Sequence, residues 1–415
     1  MLPLHGLPFR HKTKDVFTLL SKQPSPLAIL FLTVFVDMLG FAIVIPVLPL
    51  YAERFSASPA LIGALLAVYS AMGFLFSPVV GALSDRVGRK SILLLSTTGQ
   101  AVAFFIMGSA NAFAWLFVAR TIDGLFGANV STTQAYVADV TAAGERAKAM
   151  GLLGAAFGLG FIGGPLLGGM LSRFSVSAPF YFAGGLAAVN AGLIAFVLPE
   201  SLPVQNRSRS REGPRRTAWQ QGAASTLGPL MAAYFFMMFG FSLMTAFFAI
   251  FTEDRFGFTA AENGYLFALI GLIAVLVQAR LVGPLVERFS EKRLAMAGVT
   301  ILACVLFALP LVEGLSALLL VSAGVAIGNS LVNPSINGLV SRSTDPQRQG
   351  RVLGLMQAAA SLGRCVGPLA GGWLLTLNSR HTLDFGKAPF WCGSLLLLVA
   401  LLLVTIAPVR YPALR

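Results

Sequence analysis

The sequence predicts an all-α membrane protein: twelve transmembrane helices arranged as two six-helix halves, with both termini on the cytoplasmic side. Three observations predict it. Of 415 residues, 56% are hydrophobic and 11% charged, with mean hydropathy +0.79, whereas a soluble domain carries about 25% charged residues. The apolar residues gather into twelve runs, each long enough to cross a hydrocarbon core of about 30 Å. The second six runs also repeat the first.

The elements follow in order. Residues 1–26 form a polar tail with Arg10, Lys12, Lys14 and Lys22. Six runs then fill the first half, 27–198, at 27–51, 59–83, 91–112, 114–137, 147–171 and 179–198. The first run carries Asp37 and is too long for a signal-peptide core, so it is a retained helix. Residues 199–228, rich in Arg, Ser, Gly and Pro, read as a flexible cytoplasmic linker. The second half, 229–415, holds runs at 229–251, 259–286, 294–312, 315–340, 352–377 and 388–408, then a short tail. With the N-terminus inside, 22 of the 30 Lys+Arg fall in cytoplasmic segments and five outside. That asymmetry sets the orientation.

Composition excludes several classes. The net charge of +13 is spread over the loops, so it marks topology and not a nucleic-acid surface. Cys304, Cys365 and Cys392 all lie in apolar runs without disulfide or metal spacing, and His5, His11 and His381 fall outside the spans. No G-x-x-x-x-G-K-[ST] stretch is present to bind nucleotide. No cofactor or metal is expected.

One stretch organises the chain: GALSDRVGRK, Gly81–Lys90, in the short gap between the second and third runs. Gly81 and Gly88 frame it and allow close helix approach. Arg86, Arg89 and Lys90 mark the gap as cytoplasmic. Asp85 suits the membrane surface, opposite the positive N-terminus of a neighbouring helix. An echo, GPLVERFSEK, Gly283–Lys292, lies 202 residues on, with Glu287 in the place of Asp85. A second repeat pairs Met150–Leu171 with Leu353–Leu374 at an offset of 203. Gly160 falls on Gly363, Gly164 on Gly367, Pro165 on Pro368, and Gly168 and Gly169 on Gly371 and Gly372. These small residues read as helix-packing positions. A repeat of this kind places a pseudo-two-fold axis along the membrane normal.

The pattern G-x-L-S-D-R-x-G-R-K closely resembles the signature loop of the major facilitator superfamily. Val36–Tyr51, with D-x-x-G…P-x-x-P, resembles the first helix of its drug:proton antiporters. Arg120–Asn129 resembles their fourth-helix motif, and Gly160–Gly169 their fifth-helix antiporter motif. Ala135–Gly151 and the ending LPES, Leu198–Ser201, are similar to tetracycline-efflux transporters. The sequence departs from those in lacking an acid in its ninth helix, Leu294–Val312. The resemblance implies a transporter and not an enzyme: a monomer of the cytoplasmic (inner) membrane that exchanges protons for small amphipathic molecules or drugs by alternating access. Two other readings stay open, a facilitator or proton symporter of a sugar or other metabolite, and a non-transporting membrane receptor.

The few charges inside the spans are the candidates for the chemistry. Of 17 acids only Asp37 and Asp123 lie well within apolar runs. A charge at mid-bilayer costs about 2.5–3.5 kcal/mol on insertion scales, so such a residue usually faces a cavity and serves a function. Asp37 reads as the proton carrier, or else as a packing acid bonded to polar neighbours. Arg120 and Asp123, at i and i+3, share a helix face and can neutralise each other. Arg364 stands where the first repeat has Phe161. It faces the cavity, pairs with Asp37 or snorkels to the surface. For the gate, Asp85 is expected against the start of the eleventh helix, and Arg89 against Asp139, with Arg86 beside them.

Overall fold

The structure, a computed structural model, describes residues 26–127, 129–142, 145–202, 227–344, 349–377 and 382–407, without the side chains of 147 and 349–351. The expected N-terminal tail (except Pro26), linker residues 203–226 and residues 408–415 lie outside this set. Among the described residues the chain is all helical. The helices are α1 (Pro26–Glu53), α2 (Pro59–Val87), α3 (Arg89–Gly108), α4 (Phe113–Phe126), α5 (Val130–Val140), α6 (Arg146–Ser172) and α7 (Ala178–Val197). Then come α8 (Leu227–Phe256), α9 (Ala260–Val277), α10 (Gly283–Phe289), α11 (Glu291–Ala308), α12 (Leu315–Arg342), α13 (Gln349–Leu375) and α14 (Lys387–Ile406). A π-turn, Gln278–Val282, joins α9 to α10. Among the described residues, eleven stretches are long and apolar enough to cross a membrane. Helices satisfy their backbone polar groups internally, as a lipid environment demands.

The count differs from the expected twelve at one place. The fourth run, 114–137, holds two helices, α4 of 14 residues and α5 of 11, with Gly127 and Asn129 outside both. Gly124 packs against the backbone of Tyr69 on α2, where a Cβ would lie 2.6 Å from the carbonyl oxygen. Asn129, 1% exposed, turns its amide toward α1. The interruption lets the Asn129 side chain reach across, and it hides in sequence because glycines such as Gly124 and Gly127 occur inside a span as readily as at its end.

The gap around Gly81–Lys90 is also shorter than a loop. Helix α2 runs through Val87 and α3 begins at Arg89, so Gly88 alone separates them. Its φ of 115° and ψ of 151° suit glycine. The first residues of the expected linker lie against the first helix set. The Glu200 carboxylate accepts from the backbone N–H of Arg89 at 2.8 Å and so caps α3, while Ser201 donates to Asp139 at 3.1 Å.

Helix α6 packs along α1, and α13 packs along α8. The glycines set these distances. A Cβ on Gly160 or Gly164 would lie 2.8 Å from the Phe35 carbonyl or 2.7 Å from that of Leu39, and one on Gly168 3.2 Å from that of Ile43. On the other side, a Cβ on Gly367 would lie 2.9 Å from the Phe239 carbonyl.

The two helix sets meet through α2 against α13 and α6 against α9. These contacts are two copies of one arrangement. A Cβ on Gly63 would collide with the Pro368 carbonyl, and one on Gly264 with that of Pro165. Likewise a Cβ on Gly372 would lie 2.5 Å from the Pro59 carbonyl, and one on Gly169 2.9 Å from that of Ala261. All four contacts lie toward the Pro59 end of the molecule. Toward the Gly88 end the same helices stand apart. A Cβ on Gly151, Gly154, Gly283 or Gly354 would meet nothing within 4 Å, and Gly81 has only Ser131 Oγ at 3.9 Å. The molecule is therefore closed at the Pro59 end and open at the Gly88 end.

Candidate functional site

Asp37 sits in the twelfth position of α1, 7% exposed. Its Oδ2 accepts from Asn129 Nδ2 at 2.8 Å. Its Oδ1 is buried and has no partner among the described residues, nor does a Lys or Arg among them form an ion pair with it.

Arg120 and Asp123 of α4 form a closed pair, Nη1 to Oδ2 at 2.6 Å, and both are at most 3% exposed. The guanidinium also lies over the Tyr69 ring, 4.3 Å from its centre. Tyr69 in turn packs on Phe41 of α1, with ring centres 5.3 Å apart. Sequence reasoning missed both Asn129 and Tyr69. The first lies in a motif already singled out, but nothing in the pattern showed that it points at Asp37.

Arg364 of α13 is not paired with Asp37. Its Nη2 donates to Ser361 Oγ at 3.1 Å, and Nη1 lies 3.9 Å from Met238 Sδ. Arg364 is half-buried on α13, the helix that packs on α8 of its own set and on α2 of the other. Arg280 is exposed within the π-turn.

At the Gly88 end Arg89 binds Asp85 at 2.6 Å and Asp139 at 3.3 Å, and its Nη1 donates to Ser84 Oγ at 2.6 Å. Asp85 is thus held by a partner in its own helix set. Arg86 is exposed and borders an apolar recess with Pro78, Val79, Ala82 and Leu83. The remaining expected packing residues, Pro165 and Pro368, present their carbonyls to Gly264 and Gly63.

Comparison with known proteins places this geometry. The family model of the Major Facilitator Superfamily matches residues 30–282 and 280–415. The chain is 34% identical over 364 residues to the Tetracycline resistance protein, class C, of Escherichia coli, covering 84% of this chain and 89% of that one. It is 30% identical over 371 residues to Multidrug resistance protein 2 of Bacillus subtilis (strain 168), covering 88% and 92%. Its structure resembles that of the human organic anion transporter MFSD10, with TM-score 0.67, 25% identity, and 92% and 100% coverage. The chain belongs to the Major Facilitator Superfamily. It is an integral, multi-pass membrane transporter of small molecules and not an enzyme.

Proposed function

We propose that this protein exports amphipathic small molecules across the cytoplasmic membrane in exchange for protons, by alternating access. Asp37 is the proton carrier. The halves are 27–198 and 229–415, joined by the cytoplasmic linker 199–228, with both termini inside and the monomer as the working unit. On that orientation the Gly88 end is cytoplasmic, and the structure corresponds to the inward-open state.

The observation that carries the reading is the Asp37 carboxyl, buried with one oxygen unpartnered and no cation beside it. Arg120 and Asp123 already neutralise each other. Among the intramembrane acids Asp37 is therefore the one free to exchange a proton. The Arg120–Asp123 pair and Tyr69 hold α4 so that Asn129 can bond it. The names of the curated relatives, which speak of tetracycline and multidrug resistance, support export of drug-like molecules. Asp85, Arg86, Arg89 and Asp139 form the inner gate. When the Gly88 end closes, Asp85 is free to turn to the start of α13, whose positive N-terminus favours a carboxylate.

The test uses everted membrane vesicles and the variant Asp37→Asn, which mimics the protonated side chain at nearly equal size. One proton moving through 100 mV supplies about 2.3 kcal/mol, a roughly fifty-fold gradient. That gradient is expected to vanish in the variant, while equilibrium exchange persists. Full uphill transport by Asp37→Asn contradicts the assignment. Transport by the unaltered protein that survives collapse of the proton gradient indicates a facilitator instead.

A further inference from the structure

The second helix set carries a polar surface that the coupling scheme does not use. Asn329, Asn333 and Asn337 recur every four residues along α12, on one face. They are half-buried, half-buried and exposed, respectively. Three amides on one face of a membrane-spanning helix are costly against lipid and belong on a water-filled cavity. Their hydrogen bonds run in one direction. The Tyr234 hydroxyl donates to Asn333 Oδ1 at 3.2 Å, and Asn333 Nδ2 donates to Asn329 Oδ1 at 2.9 Å. The side-chain carbonyls of Asn329 and Asn333 each accept within this chain of bonds. What is left at its end is a donor, Asn329 Nδ2, which has no partner among the described residues.

Depth brings a second donor group to the same level. Asn329 lies 13 residues from the Gly88 end of α12 and Arg364 lies 15 from that end of α13, about 20 and 22 Å at the helical rise. No carboxylate among the described residues forms an ion pair with Arg364, which leans only on a hydroxyl and a sulfur. Asp37, 11 residues into α1, stands about 16 Å from the same end, at a similar depth. A guanidinium beside an amide N–H donor, with the Asn329 and Asn333 carbonyls already accepting, is complementary to an acidic oxygen pair.

We propose that Asn329, Asn333 and Arg364, backed by Tyr234, form the substrate-recognition surface, and that it selects amphipathic molecules bearing an acidic group such as a carboxylate or enolate. This deepens the transport reading and rests on it for the direction of flux, though not for the binding preference. Arg364 takes the acidic oxygens in its fork. Asn329 donates beside it, and Asn333 fixes the orientation of Asn329.

The test separates recognition from transport. The full-length protein in nanodiscs is titrated with three probes that share one aromatic body: 1-pyrenebutyrate, its primary amide and the corresponding butylamine. The unaltered protein is expected to bind the carboxylate at least about tenfold more tightly than the amine. Arg364→Gln should erase that preference, and Arg364→Lys should keep most of it because the charge remains. Asn329→Leu should weaken carboxylate binding about five- to tenfold while leaving the neutral amide within about twofold. Size-exclusion and thermal-melt checks identify a variant that has merely unfolded, and the retained affinity for the amide does the same. Equal affinity for the three probes, a preference for the amine, no binding of the carboxylate, or an unchanged preference in Arg364→Gln each overturns the inference. If the preference holds but vesicles show no proton-driven flux of any probe, the export reading fails and the recognition surface stands.

Discussion

At the start of α3, Arg89 meets Asp139 of α5 at 3.3 Å; 202 residues on, at the start of α11, Glu291 meets Arg342 of α12 at 2.7 Å. The two pairs occupy equivalent places in the repeat with their charges exchanged. The helix caps beside them are exchanged as well. Glu200, just after α7, caps the N-terminus of α3, whereas Lys292 of α11 donates to the carbonyls of Thr405 and Ala407 at the end of α14, at 2.8 and 3.0 Å. The backbone plan is common to both halves, but the charges are not. Inside the spans the contrast is sharper. The first half buries Asp37, Arg120 and Asp123. The second places amides, a phenol and one guanidinium at comparable depth. A carboxyl that titrates suits proton exchange, and amide donors beside a permanently charged guanidinium suit recognition. Under the proposed scheme the repeat supplies a symmetric frame, and substitution within it divides the work.

The symmetric part of the frame gives the largest expected effect. Gly63 and Gly264 hold the Pro59 end shut by the same contact in each half. Gly63→Val or Gly264→Val places methyl groups on the Pro368 or Pro165 carbonyl. Overpacking of this kind costs about 1–3 kcal/mol, so each variant should shift the balance away from the state open at the Gly88 end roughly 5- to 150-fold. Cysteine labelling at the two ends reads the shift. A large effect from one glycine and none from the other would break the equivalence of the two contacts.

The exchanged ion pairs come next. Glu291→Gln leaves Arg342 without its carboxylate, but that guanidinium is 59% exposed, so the loss should be about 1 kcal/mol. Arg89→Gln should cost more, because Arg89 serves two carboxylates and a hydroxyl. The double reversal Glu291→Arg with Arg342→Glu gives the second half the polarity of the first and should recover most of the stability lost by either single change. Thermal unfolding in detergent measures all of these. No recovery in the double variant would show that the polarity of the pair is set by its surroundings and not only by its partner.

The smallest effect concerns the hinge residues between α2 and α3 and between α10 and α11. Gly88 and Ser290 are equivalent, and both have positive φ, 115° and 71°, with ψ near 150°. Glycine adopts that conformation freely, but serine is strained in it. Ser290→Gly should therefore stabilise the protein by about 1 kcal/mol, and Gly88→Ser should destabilise it by a similar amount. A neutral Ser290→Gly would mean that the serine hydroxyl offsets the strain.

The sequence made the frame legible and left parts of the site hidden, for physical reasons. Apolar runs and charged gaps mark crossings, because lipid forbids anything else, so most helix ends fall within a few residues of expectation. The interruption between α4 and α5 leaves no such mark, since Gly127 is as compatible with an apolar run as with its end. Arg89 and Asp139 were readable as a pair, because unlike charges at adjoining helix ends have few other partners. Glu291 and Arg342 stand at the same repeat positions, and the offset of 202 to 203 already pointed to them. Charge reversal disguised the match. Asn333 and Tyr234 were missed because uncharged polar residues do not stand out from helical patterning, although a four-residue spacing of asparagine is visible once sought.

The division of labour between the halves is tested most directly by measuring two quantities in the same proteoliposomes: proton-driven accumulation, and head-group preference in equilibrium exchange, with the three pyrene probes. Asp37→Asn should lose accumulation and keep the preference for the carboxylate. Arg364→Gln should keep accumulation of the neutral amide and lose the preference. Loss of both quantities together in either variant, with the protein folded and inserted, would contradict the division and place coupling and recognition on one shared site.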